Sequence, residues 1–326
     1  MEHNTLPPST LLHALSLSRR AHGILQLSHR GTVIASFSRS CYAELSGQIV
    51  AFVSVELGNG PLNVVVADPA VFRHLTPGTP LVVTRETIHF GSDFGSDLTI
   101  AWDKATIWEA RYTPWNSFVP QRLLQGLAAV RATLATEAPT ESLARILEDT
   151  REAGGAFSPM LVRAREAMRM LQEALERDSP ALAARAAKGL AGLGPGLTPS
   201  GDDVLAGVLL ALAVLPRESH ETLREAITSI GPSQTHRISA AYLAAAREGE
   251  ASEAWHRLLD VTLRGDPTAI TPAVRKVMAY GETSGADMLA GFLLAAGAIL
   301  RKHAQDFPDS LENTASNCTV LCSPNP

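Results

Sequence analysis

The segment Gly192–Leu215 reads GLGPGLTPSGDDVLAGVLLALAVL, and its interpretation decides the fold of the second half of the chain. Part of it returns at Gly281–Leu300, which reads GETSGADMLAGFLLAAGAIL. Ser200 aligns with Ser284, so equivalent residues are 84 positions apart, and both copies share Ser-Gly-x-Asp followed by Leu-Ala-Gly. The pattern indicates two equivalent helices. Their longest apolar runs have 12 and 13 residues, and a membrane span needs roughly 20. The repeat therefore predicts two buried core helices.

Helix capping is the first physical explanation of the shared residues. Ser200 and Ser284 are predicted to cap the two helices, with Asp203 and Asp287 completing capping boxes three residues later. A glycine follows one turn further in each copy, although glycine inside a helix costs about 1 kcal/mol relative to alanine. That cost indicates close contact between helices. In this interpretation the repeated residues have only a structural role.

The first copy has additional residues that capping does not explain. Three glycines precede its helix, and Asp202 stands where the second copy has Ala286. Glycine-rich backbone leading into a helix N-terminus is suited to binding an anion. We predict Asp202 and Asp203 as catalytic residues, and the predicted anion-binding residues are Gly194, Gly196, Thr198, Ser200, Arg237, Ser284 and Asp287.

The same loop was also compared with two nucleotide-binding motifs and with a metal site. It is not a P-loop, because no Gly-Lys-Ser/Thr follows, and it is not a dinucleotide fingerprint, because no strand precedes it. A metal site remains an alternative: Asp202, Asp203 and Asp287, with Glu282, could hold Mg²⁺ or Mn²⁺ through oxygen ligands. We predict anion binding without a resident metal, and leave Mg²⁺ or Mn²⁺ open.

A second helix entrance, Ser233–Leu243, reads SQTHRISAAYL. Arg237 has the fork geometry that binds carboxylates and phosphates, and His236 is a residue type that titrates near neutral pH. The alternative is that Thr235 or Ser239 caps a helix and the basic pair is solvated. Both interpretations stay open at this point.

Local patterns along the chain predict an α+β protein. Seven β-rich runs between Gly23 and Ala110, with no helix among them, indicate an antiparallel barrel or sandwich. Beyond them the apolar spacing is helical. We predict a β-rich domain at residues 1–115 with a short N-terminal extension, an α-helical domain at 116–304 that carries the glycine-rich loop, and a disordered tail at 305–326.

Composition limits the classes of partner. The chain has 45% hydrophobic and 19% charged residues and a net charge of −5, which is typical of a folded globular protein. Its basic residues occur only as pairs, so we predict no nucleic-acid partner, and the short apolar runs predict no membrane partner. The N-terminus lacks the order of a signal peptide and the three cysteines form no zinc set. We therefore expect a cytoplasmic protein with free thiols.

Three segments in this order resemble the AllH family of bacterial proteins: GLGPGLTPSGDDVLAG, ISAAYLAAAREGE and TSGADMLAGFLLA. The resemblance extends over about Gly23–Lys302. AllH is a subunit of oxamate carbamoyltransferase, which acts in allantoin breakdown, a route of purine nitrogen catabolism. The resemblance implies a β-rich part, a helical part, partner subunits, and conversion of oxalurate and phosphate to oxamate and carbamoyl phosphate or the reverse.

Two functions follow from these observations. The chain is either a carbamoyltransferase subunit that binds a small anion, or a non-catalytic scaffold or ligand-sensing subunit of an acyl-CoA-synthetase-like complex. The sequence leaves open whether the chain catalyses the reaction by itself. No Ser-His-Asp or Cys-His arrangement is readable, so we expect direct transfer without a covalent enzyme intermediate.

Overall fold

The computed structural model describes residues 10–91, 98–110, 120–148, 159–215, 220–229 and 234–306. Its backbone packing divides the chain into two compact units, Met1–Ala110 and Arg111–Pro326, named here the barrel unit and the helical unit. The predicted domain boundary at residues 115 and 116 lies outside the described residues, as do residues 307–326 of the predicted tail. The predicted α+β class, with a β-rich part followed by a helical part, is confirmed.

The described part of the barrel unit contains nine strands, one α-helix and a 3-10 helix at Pro69–His74. The helix is α1 (Arg19–Leu27). The strands are β1 (Thr10–Ser18), β2 (Arg30–Ser36), β3 (Ser40–Leu45), β4 (Gln48–Ser54), β5 (Asn63–Val66), β6 (Pro80–Val83), β7 (Thr87–Phe90), β8 (Leu98–Ala101) and β9 (Thr106–Trp108).

One sheet, ordered β5-β4-β3-β2-β6-β7-β8-β1-β9, closes on itself because β1 also pairs with β5. Eight strands form the barrel, and β9 is an extra strand beside β1. The register of β1 shows how the closure works: Ala14 lies opposite Val66 of β5, while Thr10 lies opposite Leu98 of β8. Closure removes most of the exposed sheet edge. The barrel core includes Phe52 and Phe90, whose rings pack edge to face with centroids 5.1 Å apart.

The structure corrects four details of the predicted β part. Gly23–His29, predicted as a strand, belongs mostly to α1, which begins where the Ser18 hydroxyl accepts from the Ala21 amide at 2.9 Å. Residues 10–18, predicted as an extension, form the closing strand β1. Strand β3 was not predicted; it joins β4 through Ser46 and Gly47, both with positive φ, the conformation of a two-residue hairpin turn. The sheet was predicted to be antiparallel, but it is mixed. The strand pairs β4–β5, β1–β8 and β1–β9 are parallel.

The described part of the helical unit contains nine α-helices and a 3-10 helix at Leu143–Glu148. The helices are α2 (Pro120–Glu137), α3 (Pro159–Glu176), α4 (Pro180–Leu190), α5 (Ser200–Val214), α6 (Glu221–Thr228), α7 (Arg237–Arg247), α8 (Glu253–Arg264), α9 (Pro267–Met278) and α10 (Ser284–Asp306). Their apolar faces share one continuous core.

Helices α5 and α10 are the two equivalent buried helices predicted from the repeat, and they pack on each other. A Cβ added to Gly207 would lie 1.9 Å from the Met288 carbonyl oxygen, and one added to Gly291 would lie 1.9 Å from that of Val204. Both contacts join equivalent positions of the repeat. The helices are therefore related by a local two-fold axis, and the glycines allow their backbones to touch.

Segment Ser284–Lys302 of α10 has the length and composition of a membrane span, with a mean hydropathy of 1.3, but 83% of it is buried inside the structure. Helix α5 is equally enclosed, with residues from Val204 to Ala213 all buried. Burial of this kind is what core helices of a globular unit show, and it agrees with the interpretation of both apolar runs as core.

Candidate functional site

The two repeated motifs meet at the N-termini of α5 and α10. The prediction that Ser200 caps α5 is wrong, because Pro199 is the N-cap residue and makes no side-chain capping bond. The amides of Asp202 and Asp203 donate to the Pro199 carbonyl at 2.9 and 3.1 Å. In the second copy the Asp287 amide donates to the Thr283 carbonyl at 2.9 Å. Ser200 and Ser284 are therefore the first residues of their helices. Their hydroxyls are not used as helix caps.

The serine hydroxyls and aspartate carboxylates pair across the local two-fold axis. Ser284 hydrogen-bonds to Asp203, and Ser200 hydrogen-bonds to Asp287. We call these four residues the Ser-Asp cluster. Further hydroxyls surround it: Thr198 lies 3.2 Å from Ser284, and Thr283 lies 3.3 Å from Ser200, measured between oxygens. The predicted site residues Thr198, Ser200, Asp203, Ser284 and Asp287 are thus brought together.

Asp287 is fully buried, and a segment distant in sequence holds it in place. Its Oδ1 accepts from the Ser142 hydroxyl at 2.6 Å and from the Leu143 amide at 2.7 Å. Burial raises the pKa of Asp287, while the hydroxyls of Ser142, Ser200 and Thr283 and the Leu143 amide lower it. The net direction is upward, so burial outweighs the hydrogen bonds.

Asp203 is half-buried as a residue, but its Oδ2 is inaccessible to solvent and has no hydrogen-bond partner among the described residues. Burial raises the pKa of Asp203 well above its ordinary value; the Ser284 hydroxyl lowers it, and the charges of Asp287 and Asp202 raise it further. In the described part of the chain no cation pairs with any of these carboxylates. Two nearby carboxyls in such surroundings favour retention of a proton.

These pKa shifts predict how stability depends on pH. A carboxyl with a raised pKa in the folded state stabilises the fold below its unfolded pKa, and this contribution is lost as pH rises through the folded pKa. We expect the wild-type unfolding free energy to fall from about pH 4 upward, by up to about 1.4 kcal/mol per pH unit for each such proton. Asp287→Asn should flatten this decline, because asparagine resembles the protonated acid but cannot ionise.

Urea denaturation of the wild type and Asp287→Asn between acidic and mildly alkaline pH measures this effect. The matched control is Asp260→Asn, which changes a partly exposed aspartate of the same unit that pairs with Arg264 one turn along α8. The control should keep the wild-type slope. An unchanged slope in Asp287→Asn would contradict the raised pKa.

Asp202 is 1% exposed, and its carboxylate is fully engaged inside the chain. Oδ1 accepts from the Gly192 amide at 2.9 Å, and Oδ2 accepts from the hydroxyls of Thr235 and Ser239, the latter at 2.8 Å. It therefore joins the start of the glycine-rich loop to the start of α7. Its catalytic role stays a prediction, and the observed bonds give it a structural one.

The glycine-rich loop, residues 192–199, has the backbone conformation expected from its glycines. Gly192, Gly194 and Gly196 all have positive φ, at 67°, 120° and 91°. A Cβ at Gly194 would also lie 2.9 Å from the Ser200 amide nitrogen. Within the described chain the amides of Gly194, Gly196, Leu197 and Thr198 have no acceptor. The loop is half-buried or exposed at these residues, so its amides are available to a ligand.

Arg237 begins α7, and its side chain is exposed. The N-cap of α7 is His236, whose ring accepts from the Ile238 amide. The alternative that Thr235 or Ser239 caps this helix is therefore wrong, because both hydroxyls bind Asp202 instead. Arg237 stays a predicted anion ligand.

The geometry gives no support to the metal alternative. In the ranges that the structure describes, no group of three or more His, Cys, Asp or Glu residues is placed to hold a metal ion. Asp202 has its own donors, and Glu282 is exposed. Mg²⁺ or Mn²⁺ therefore stays a hypothesis from sequence.

Sequence reasoning missed several residues that shape this site. Ser142 and Leu143 lie 145 and 144 positions before the Asp287 that they bind, and no local motif marks them. Thr283 could have been found, since it occupies the position equivalent to Pro199 in the repeat. The sequence predicts Thr235 or Ser239 only as a helix cap, and not as a partner of Asp202.

A family model described as oxamate carbamoyltransferase subunit AllH matches residues 190–296. The match runs from the last residue of α4 into α10 and so includes the glycine-rich loop, both Ser-Gly-x-Asp motifs and α7. The predicted resemblance to the AllH family is confirmed over this stretch, and its wider extent stays a prediction. No solved structure matches the chain.

Proposed function

We propose that this chain is a subunit of an oxamate carbamoyltransferase-like complex, and that it binds a small anionic substrate at the glycine-rich loop before α5. The observation that carries the proposal is the resemblance to the AllH family over residues 190–296. Partner subunits follow from the same resemblance, because AllH is by its description a subunit. The proposed place of action is the cytoplasm, in the breakdown of allantoin.

Free donors of the loop support anion binding. The amides from Gly194 to Thr198, where residue 195 is proline, have no acceptor in the described chain. The N-terminus of α5 follows directly and adds the positive end of its helix dipole. Oxalurate, phosphate, oxamate and carbamoyl phosphate are all anions that such a loop can hold. Asp202 positions the loop through the Gly192 amide.

The Ser-Asp cluster supplies a proton donor for the reaction. In the forward direction an oxygen of hydrogen phosphate bonds to the carbamoyl carbon of oxalurate, and the bond from that carbon to the bridging nitrogen breaks. The leaving nitrogen needs one proton to become the amide of oxamate, and protonated Asp203 donates it. Asp203 recovers a proton from the attacking hydrogen phosphate, so atoms and charge balance. Asp287 favours the protonated form of Asp203 by like-charge repulsion.

The first experiment combines the purified chain with its partner subunits and measures carbamoyl phosphate formed from oxalurate and phosphate. We expect formation with the complete complex and none when this chain is omitted. If the complete complex forms no carbamoyl phosphate from oxalurate, the proposed reaction is refuted, whatever the roles of individual residues.

Thr198→Val tests the loop as the anion site. Valine keeps the branched shape of threonine and removes the hydroxyl, and a hydrogen bond to a charged group contributes about 1.5–3 kcal/mol. We expect the KM for phosphate or oxalurate to rise about ten-fold or more with little change in kcat. Thr136→Val is the control, because Thr136 is exposed on α2 and bonds only to backbone carbonyls of its own helix. Equal KM values in both variants would place the anion elsewhere.

A non-catalytic scaffold or ligand-sensing subunit is the second candidate. The observation in its favour is that Asp202 is buried and engaged entirely by groups of its own chain. Under this alternative, Thr198→Val and substitutions in the Ser-Asp cluster alter the melting temperature of the chain but leave turnover by the complex unchanged.

A further inference from the structure

The Ser-Asp cluster is two-fold symmetric in its repeated residues but not in its surroundings. Asp203 and Asp287 occupy equivalent positions of the repeat, and each accepts from one serine of the other copy. Among the described residues, only Asp287 also bonds to a third segment. This segment, residues 142–148, consists of Ser142 and the 3-10 helix that follows it, and we call it the 142 segment. It packs against α2, α3, α5 and α10 and lies outside the stretch that the family model matches.

The Ser142 hydroxyl is aimed at Asp287 by its own surroundings. Ser142, like Asp287, is fully buried. Its oxygen accepts from the Ala144 amide at 3.1 Å, so its proton is available to Asp287 Oδ1, 2.6 Å away. The Leu143 amide donates to the same oxygen at 2.7 Å. Hydrogen bonds this short are typical of an ionised acceptor.

Two arginines fasten the 142 segment to α2. The guanidinium group of Arg145 donates to two carbonyls at the C-terminal end of α2, and that of Arg131 donates to a carbonyl of the segment at 2.9 Å. The groups of this segment that bond to Asp287 are a hydroxyl and an amide, both neutral. The charges that act on the cluster are the carboxylates of Asp202 and Asp203 on α5 and of Asp287 itself.

The two extra donors distinguish the equivalent acids. Oδ2 of each aspartate is inaccessible to solvent and without a partner among the described residues, so the difference lies in the donors to Asp287 Oδ1. Donors to the charged form of a carboxyl favour that form. We propose that Ser142 is a positioning residue: together with the Leu143 amide it holds Asp287 as the anion, and this leaves Asp203 to carry the proton of the reaction.

This inference rests on the proposed function, and it assigns different roles to two acids that the repeat makes equivalent. Burial raises the pKa of Asp287, and it raises the pKa of Asp203 well above its ordinary value, helped by the charge of Asp287. The order of the two acids therefore agrees with the assignment. Without the Ser142 hydroxyl, Asp287 should stay protonated to higher pH and repel the ionisation of Asp203 less.

Carboxyl ¹³C resonances of the full-length chain give a direct readout, assigned by their loss in Asp203→Asn and Asp287→Asn. In the wild type we expect Asp287 to ionise at lower pH than Asp203. In Ser142→Ala we expect the ionisation of Asp287 to move to higher pH, toward that of Asp203. The matched control is Thr133→Val, which removes a buried hydroxyl of α2 that bonds outside the cluster. It should keep the wild-type titration even if its melting temperature falls.

In the complete complex, Ser142→Ala should lower kcat for carbamoyl phosphate formation about ten-fold or more, because a charge-assisted bond is lost. The KM values should change little, since the loop amides are untouched. The fall of kcat with rising pH should also begin at lower pH than in the wild type. A loss of stability alone would reduce the amount of active protein without moving this pH.

Unchanged ionisation of Asp287 in Ser142→Ala, or wild-type turnover by this variant in an active complex, would overturn the inference. A wild-type complex that forms no carbamoyl phosphate would instead refute the proposed reaction. In that case the carboxyl titration of the chain alone would still decide whether Ser142 holds Asp287 as the anion.

Discussion

Asp203→Asn is expected to lower kcat for carbamoyl phosphate formation by about 10²–10⁴-fold, the usual contribution of a positioned proton donor. Asparagine has the size of aspartate and keeps an oxygen for the Ser284 hydroxyl, but it cannot deliver a proton to the leaving nitrogen. The KM for both substrates should change little, because the loop amides are untouched. The melting temperature at neutral pH should be equal or higher, since the buried carboxyl no longer ionises.

The pH profile adds a second readout for Asp203. Because its pKa is raised, wild-type kcat should fall as pH rises through that raised value, and the residual activity of Asp203→Asn should lack this fall. Asp260→Asn, outside the Ser-Asp cluster, again serves as the control and should keep the wild-type rate and profile. If Asp203→Asn turns over at the wild-type rate in an active complex, Asp203 is not the proton donor, although the complex remains a carbamoyltransferase.

Gly207→Ala is expected to destabilise the helical unit by about 3 kcal/mol, at the upper end of the usual cost of overpacking a core. Its new Cβ would lie 1.9 Å from the Met288 carbonyl oxygen and 2.8 Å from the Phe292 amide nitrogen. Both atoms belong to the backbone of α10, so no side chain can rotate away. Urea denaturation should show a lower midpoint with an unchanged m value.

The local two-fold axis extends this prediction to the equivalent glycine of α10. Gly291→Ala places its Cβ 1.9 Å from the Val204 carbonyl oxygen, so its cost should equal that of Gly207→Ala. The double variant should cost less than the two single costs added, because the helices separate only once. Gly23→Ala is the control: nothing lies within 4 Å of a Cβ there, and the change should be neutral or slightly stabilising. A Gly207→Ala protein as stable as the wild type would mean that the helices do not touch.

Residues with local or repeated patterns allowed much of this structure to be predicted. The apolar spacing beyond the β-rich runs indicated that the second part of the chain is helical, and the repeat identified α5 and α10 as equivalent and buried. The positive φ values of the loop followed from Gly192, Gly194 and Gly196. Each of these features depends on residues close together in sequence, or on two copies that can be compared.

The features that were mispredicted depend on distant partners. Residues 24–27 are as compatible with a strand as with a helix, and α1 forms because Ser18 caps it and its apolar residues pack against β1, β4 and β9. Ser200 was predicted as a cap because serine before an acidic turn often caps, but its hydroxyl bonds across to Asp287. The prediction of a catalytic role for Asp202 did not include its partners Thr235 and Ser239, because they lie more than 30 positions away in sequence.

The position of β1 in the barrel has a consequence for synthesis. Its neighbours in the sheet are β5 on one side and β8 and β9 on the other, so the barrel cannot close around β1 until residues 98–108 have also been synthesised. Helix α5 likewise cannot pack on α10 until α10 has been synthesised. Pairings between distant segments slow folding, because the intervening chain must be ordered first. Until then the apolar surface of each early partner is uncovered, and these are the segments of the nascent chain that most need protection by chaperones.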